Sequence, residues 1–202
     1  SYVFAAGIAG TPIGAPSAPI ITSTSPTDPT TPKSDMNVAW TGSSSEGGSP
    51  ITGYTATATN GSTSYTCSIA APTPFVASQT GLNCTITGLA FATTYTFVIT
   101  VTNAVGSTSS ITVTAKTPGK PQTLVWDAPT TAKTTANYGD SDFTAVATST
   151  DSTTHAATGL AVVYSTTSST CSIDPILGII HIISVGTCTI RADQNGSGSI
   201  YD

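Results

Sequence analysis

The sequence predicts an all-β protein. Three observations carry that reading: few charges, abundant threonine and serine, and apolar residues that alternate with hydroxyl residues over short runs. Charged residues make up 7% of the chain, against roughly 25% in an average soluble domain. Helices normally cover their exposed faces with Glu, Lys and Arg, and this chain has too few of them to do so. Threonine is β-branched, so it suits a pleated surface better than a helix. The 202 residues make one large domain or two of about 100, and either is long enough to bury a core.

In chain order, the first run is SYVFAAGIAG, residues 1–10, followed by the turn-rich TPIGAPSAP. A period of two puts Tyr2, Phe4, Ala6 and Ile8 on one face and Val3, Ala5 and Gly7 on the other, the pattern of a half-buried strand. Between residues 15 and 118 seven runs read as strands: APIITST, MNVAWTG, ITGYTATAT, SYTCSIA, CTITGL, TTYTFVITVTN and ITVTAKT. In MNVAWTG, Val38 and Trp40 share a face. In TTYTFVITVTN, Tyr95, Phe97, Ile99 and Val101 form a core face opposite a face of mostly hydroxyls. Seven short strands over such a length is the spacing of a β-sandwich.

Three stretches of this region, the Trp of NVAWTG, GGSPITGYTATAT, and TGLAFATTYTFVITVTNAVGSTS, resemble a fibronectin type III domain over residues 15–118. The resemblance implies a structural core around Trp40, Leu89 and Tyr95. Leu89 and Tyr95 match the family's tyrosine corner, in which the tyrosine hydroxyl bonds backbone near a strand crossover.

From residue 119 the pattern changes to QTLVWD, YGDSDFTAVATST, GLAVVYSTTSSTCSID, ILGIIHIISVGTCTIRADQ and NGSGSIYD. The GD before a strand, the strand ending near CSI, and the GTCTIRADQNG turn and strand make residues 119–202 resemble a bacterial immunoglobulin-like repeat. Repeats of that kind continue past the Gly/Asn turn and a tyrosine, here Tyr201, into one more edge strand. The chain stops at Asp202, so the resemblance implies a sandwich lacking its last strand, with unpaired backbone groups beside an uncovered core. The predicted organisation is an N-terminal strand and linker (1–14), a fibronectin type III-like sandwich (15–118) and an immunoglobulin-like sandwich (119–202). The chain has neither an initiator Met nor a basic leader and reads as a processed product or a fragment.

The orphan strand and the unfinished sandwich complement each other. Residues 1–10, with Tyr2, Val3, Phe4 and Ile8 as the assembly strand, are expected to fill the second sandwich of a neighbouring copy, head to tail. Two versions fit the sequence equally: separate subunits joined by donor-strand complementation, or one period of a longer covalent array. Burying Tyr2, Phe4 and Ile8 contributes about 1.5–3 kcal/mol each, and each ladder hydrogen bond about 0.5–1.5 kcal/mol. Association and ordering cost about 4–15 kcal/mol, so a non-covalent joint needs most of that gain. The plainer alternatives are that residues 1–10 are a disordered end or pair with an edge of their own chain.

Cys67 and Cys84 are 17 residues apart, as are Cys171 and Cys188, which suggests one disulfide in each half. Zinc is the rival reading, but no C-x-x-C is present and the two histidines lie nowhere near ligand spacing. Each bridge would be worth roughly 3 kcal/mol through loop-closure entropy and implies an oxidising, extracellular or cell-surface setting.

The net charge is −5 with five cations, which disfavours a nucleic-acid partner, and no 18-residue apolar run suggests membrane insertion. No catalytic constellation stands out. His155 reads as a loop residue and His181 as a strand residue, and with serine so common their proximity carries little information. Asp140 and Asp142 have a D-x-D spacing that suits two calcium oxygens, with Asp127 or Asp151 in support, but a turn before a strand explains them as well. Asn60, Asn83 and Asn195 begin N-x-[ST] sequons, so glycans are possible surface partners. The expectation is a non-enzymatic, cofactor-free structural module of an extracellular filament or surface adhesin, with copies of itself as partners. The alternative is a spacer or accessory region of a secreted polysaccharide-degrading enzyme.

Overall fold

The structure is a computed structural model that describes residues 13–27, 34–127, 135–197 and 201. The assembly strand with Tyr2, Val3, Phe4 and Ile8 lies outside the described residues. Among the described residues every regular element is a strand, and the chain falls into two compact units divided between Pro118 and Gly119.

The first unit contains β1 (Ile20–Pro26), β2 (Met36–Thr41), β3 (Ile51–Asn60), β4 (Thr63–Ala70), β5 (Leu82–Ile86), β6 (Thr94–Asn103), β7 (Ser107–Ser109) and β8 (Val113–Lys116). They form two antiparallel sheets, ordered β1-β2-β5 and β4-β3-β6-β7, with β8 also on β6. Met36, Val38 and Trp40 of β2 and Tyr95, Phe97, Ile99 and Val101 of β6 are buried at alternate positions and meet in one core. Small residues of β3 sit beside large ones of β6, as in Ala58↔Phe97 and Ala56↔Ile99, so the buried layer interlocks without overfilling. Gly61, at φ +60°, opens the two-residue loop between β3 and β4, a conformation glycine adopts without strain.

The run ITVTAKT, residues 111–117, forms β8, and the short β7 precedes it. Ser110 puts its side chain into the ladder: the Ile99 N–H donates to Ser110 Oγ at 3.0 Å, where a backbone carbonyl would stand, and Ser110 Oγ donates to Ile111 O. The ladder is interrupted there, so β7 lies before Ser110 and β8 begins at Val113. The approach to β1 is also held in place. The buried Asn103 donates from Nδ2 to Gly14 O and Glu46 O, both at 2.8 Å, and the Ser44 and Ser45 N–H groups donate to Ser17 Oγ.

The second unit contains β9 (Gln122–Trp126), β10 (Phe143–Thr144), β11 (Ala147–Asp151), β12 (Val163–Thr166), β13 (Cys171–Ile173), β14 (Ile179–Ile182) and β15 (Ile190–Asp193). Its sheets are β10-β14-β13, β11-β9 and β12-β15. The Ala145 N–H donates to Gly178 O, extending the β10–β14 ladder, and the Asp127 N–H donates to Val146 O, extending the β9–β11 ladder. Residues 143–151 are therefore one run that pairs first with β14 and then with β9. Gly178, at φ +66°, closes the turn before β14, and a Cβ there would stand 2.3 Å from Ala145 O. Only glycine fits this close approach.

The cores differ in depth. Fourteen buried apolar residues cluster in the first unit, whereas Ala147, Tyr164, Cys171 and Ile180 are the buried apolar residues among the described part of the second. Buried polar pairs supplement the thinner core: the Ala147 N–H donates to Tyr164 Oη at 2.9 Å, and Ser149 Oγ donates to Gln122 Oε1 at 2.7 Å.

Candidate functional site

Both disulfides pair within their own half. Cys67 on β4 is bonded to Cys84 on β5, with Cα atoms 6.0 Å apart, and joins the edge strands of the two sheets in the first unit. Cys171 on β13 is bonded to Cys188, just before β15, with Cα atoms 5.7 Å apart.

Beside this second bridge the two sides of the unit stand apart. Phe143 of β10 and Ile180 and Ile182 of β14 form one wall of a groove of about 520 Å³; Ile190 of β15 and Cys188 form the other, and Tyr138 and Val185 lie at its rim. The alternation of β14 and β15 dictates which side chains take part. Ile180 and Ile182 face the groove while Ile179, His181 and Ile183 are exposed, and Ile190 alternates with the exposed Arg191.

One edge of β15 is paired with β12, in the register Val163↔Asp193 to Thr166↔Ile190, and β15 is an edge strand of that two-stranded sheet. Tyr201 forms a parallel bridge with Lys120, just before β9. A strand running on from that point in the same direction would lie parallel to β9. The site thus places a trough lined by isoleucine, phenylalanine and hydroxyl side chains beside an edge strand, whose outer backbone groups lack a ladder partner among the described residues.

The other residues singled out in the sequence are distributed as follows. Trp40, Leu89 and Tyr95 are buried in the first core, and the Ala90 N–H donates to Tyr95 Oη at 3.0 Å. Asn60 is exposed at the end of β3 and Asn195 is exposed after β15, while Asn83 sits on β5 with its amide donating to Gly81 O. Asp140 Oδ2 accepts the Asn137 N–H, and Asp142 Oδ1 lies 2.7 Å from His181 Nδ1. Asp127 accepts from Thr148 Oγ1, and no group of three metal-ligating side chains occurs among the described residues. Asp140 and Asp142 therefore serve a turn and a cross-strand pair here. His155 takes a left-handed conformation, φ +58°, in the loop after β11, where its N–H donates to Asp151 O.

Sequence reasoning missed the part Asp151 plays. Its buried carboxylate accepts the Thr153 and Thr154 N–H groups, both at 2.9 Å, and pairs with Lys120 Nζ at 3.5 Å, tying the end of β11 to the start of the unit. The Thr154 and Thr153 N–H groups, aided by the Lys120 ammonium, hold its pKa at about 2. Asp174 is held low in the same way, by the Leu177 and then the Ile176 N–H. A carboxyl whose folded pKa is depressed stabilises the fold above its unfolded value of about 3.9, and that stability is lost as pH falls through the folded value. Urea unfolding of the second unit should show an unchanged midpoint from pH 7 to 5 and a falling one between pH 4 and 2. The Asp151→Asn variant should be less stable at pH 7 and show a smaller acid loss; an unchanged acid loss would exclude Asp151 as its source.

Trp126 and Tyr138 are the large exposed aromatics among the described residues, and they belong to separate segments. None of the curated proteins compared matches the chain. Among solved structures, domains A168-A170 from titin match at 21% identity with a TM-score of 0.34, over 52% of this chain and 32% of that one. The chain thus spans about a third of that titin fragment. The family model of the fibronectin type III domain matches residues 24–117, which lie within the first unit.

Proposed function

We propose that the protein is a structural module of an extracellular filament or cell-surface adhesin whose copies join head to tail. In this reading the N-terminal strand of one copy lies in the groove of the next, beside β15, and completes an immunoglobulin-like sandwich. The observation that carries it is the groove lined by Phe143, Ile180, Ile182 and Ile190 among hydroxyl side chains, bordered by the edge strand β15. Residues 1–10 match that trough in chemistry, because one face of the run is apolar and the run has no charged side chain to bury. The two disulfides fit an oxidising, extracellular setting, and no helix among the described residues is long and apolar enough to cross a membrane. A spacer region that binds polysaccharide would be expected to align its exposed aromatics, and Trp126 and Tyr138 stand in separate segments.

Electron microscopy of native material, together with its mass after denaturation with disulfides intact, tests the proposal. Filaments that dissolve to single chains support donor-strand joining, and filaments of a much longer chain support the covalent version. Material that stays monomeric at every concentration overturns both.

A further inference from the structure

We infer that the Cys171–Cys188 bridge governs whether the groove accepts a strand, so that head-to-tail joining is coupled to the redox state of this one disulfide. The inference rests on the head-to-tail reading and adds its regulation.

The two bridges close loops of equal length but hold different structures. Cys67–Cys84 spans a sandwich whose sheets are already held by a deep apolar core. Cys171–Cys188 ties the two sides of the groove: Cys171 is buried on β13, the ladder neighbour of β14, and Cys188 is half-buried and lines the trough with Ile190. Between β14 and β15 the chain is otherwise held to this side by polar contacts. The Ile183 N–H donates to Thr170 O at 2.8 Å, Thr170 Oγ1 donates to Thr187 O at 2.7 Å, and the Thr189 N–H donates to Ser168 Oγ at 2.9 Å. Exposed hydrogen bonds of this kind exchange readily with water, and the thin core supplies little packing to replace a covalent tie. With the bridge reduced, β15 and β14 can separate, and the walls no longer meet one strand together.

The coupling must run both ways, because a change in strand affinity caused by the disulfide equals the change in disulfide stability caused by the strand. Reduction by a dithiol proceeds by thiolate attack on one sulfur, giving a mixed disulfide that the second thiol resolves. The products are two cysteine thiols and one cyclic disulfide; two electrons and two protons pass from the dithiol to the protein. Attack needs access to a sulfur, and a strand lying in the groove covers Cys188.

The test uses the full-length chain carrying Phe4→Asp and Ile8→Asp, which accepts a strand without donating one, and a fluorescent peptide of residues 1–12. Anisotropy should show at least tenfold weaker peptide binding when Cys171→Ser and Cys188→Ser are added, and less than a twofold change with Cys67→Ser and Cys84→Ser. In parallel, dithiothreitol reduction of the intact acceptor, followed by alkylation and mass analysis, should be at least tenfold slower at Cys171–Cys188 when the peptide is bound, with Cys67–Cys84 unaffected. Equal binding to the serine variant, or equal reduction rates with and without peptide, overturns the coupling and leaves the head-to-tail reading standing. Failure of the peptide to bind the disulfide-intact acceptor overturns both. If the serine variant does not fold, the reduction rates alone decide.

Discussion

Substituting Phe4→Asp and Ile8→Asp in one chain is expected to weaken end-to-end joining at least about 100-fold while both units stay folded. The two positions share the apolar face of residues 1–10 with Tyr2, spaced at the strand period. Each side chain contributes about 1.5–3 kcal/mol on burial, so losing both removes about 3–6 kcal/mol, a factor of about 10²–10⁴ in affinity. Two carboxylates entering a trough of isoleucine and phenylalanine add a desolvation cost on top. Sedimentation velocity over a concentration series reads the change, and circular dichroism checks that the fold is retained. Undiminished joining would remove this strand from the mechanism.

The second large effect belongs to stability. Trp40→Ala should lower the melting temperature of the first unit by more than about 12 °C. The indole is fully buried, is the largest fully buried side chain among the described residues, and packs against Tyr54 with ring centroids 5.9 Å apart. Truncations of this kind cost about 3–5 kcal/mol, a large part of the 5–15 kcal/mol that holds a domain together. At about 4–8 °C per kcal/mol for a domain near this size, calorimetry resolves the shift easily. Trp40→Phe should cost much less, because the indole N–H has no hydrogen-bond partner to lose. A small shift for alanine would mean that the core collapses around the gap.

The cross-strand pair of His181 and Asp142 shows why part of the surface was illegible beforehand. The two lie 39 positions apart, and nothing in either local pattern points to the other. They meet because β10, which follows Asp142, pairs with β14, which carries His181. Asp151 and Lys120 are a second case: a carboxylate that reads as one loop acid among several becomes a buried tie once β11 folds back on β9. Ser110 is a third, since a serine within an alternating run looks like any other strand residue until its hydroxyl takes a carbonyl's place opposite Ile99.

Periodicity was enough for much of the first unit. Strand alternation is a local property of the backbone, so runs such as MNVAWTG and TTYTFVITVTN announce both their conformation and their buried face. The all-β class, the likeness to a fibronectin type III domain over residues 24–117 and the two 17-residue disulfides were accordingly readable from the chain. The groove was not readable in its particulars. Its walls come from β10, β14 and β15 and from the segment around Tyr138, stretches scattered over more than 50 residues, and their separation depends on how sheets pair across the unit. Side-chain period tells which residues turn inward; only the tertiary arrangement decides whether those inward faces meet and close over one another, as in the first unit, or stand apart with an edge strand beside them, as in the second.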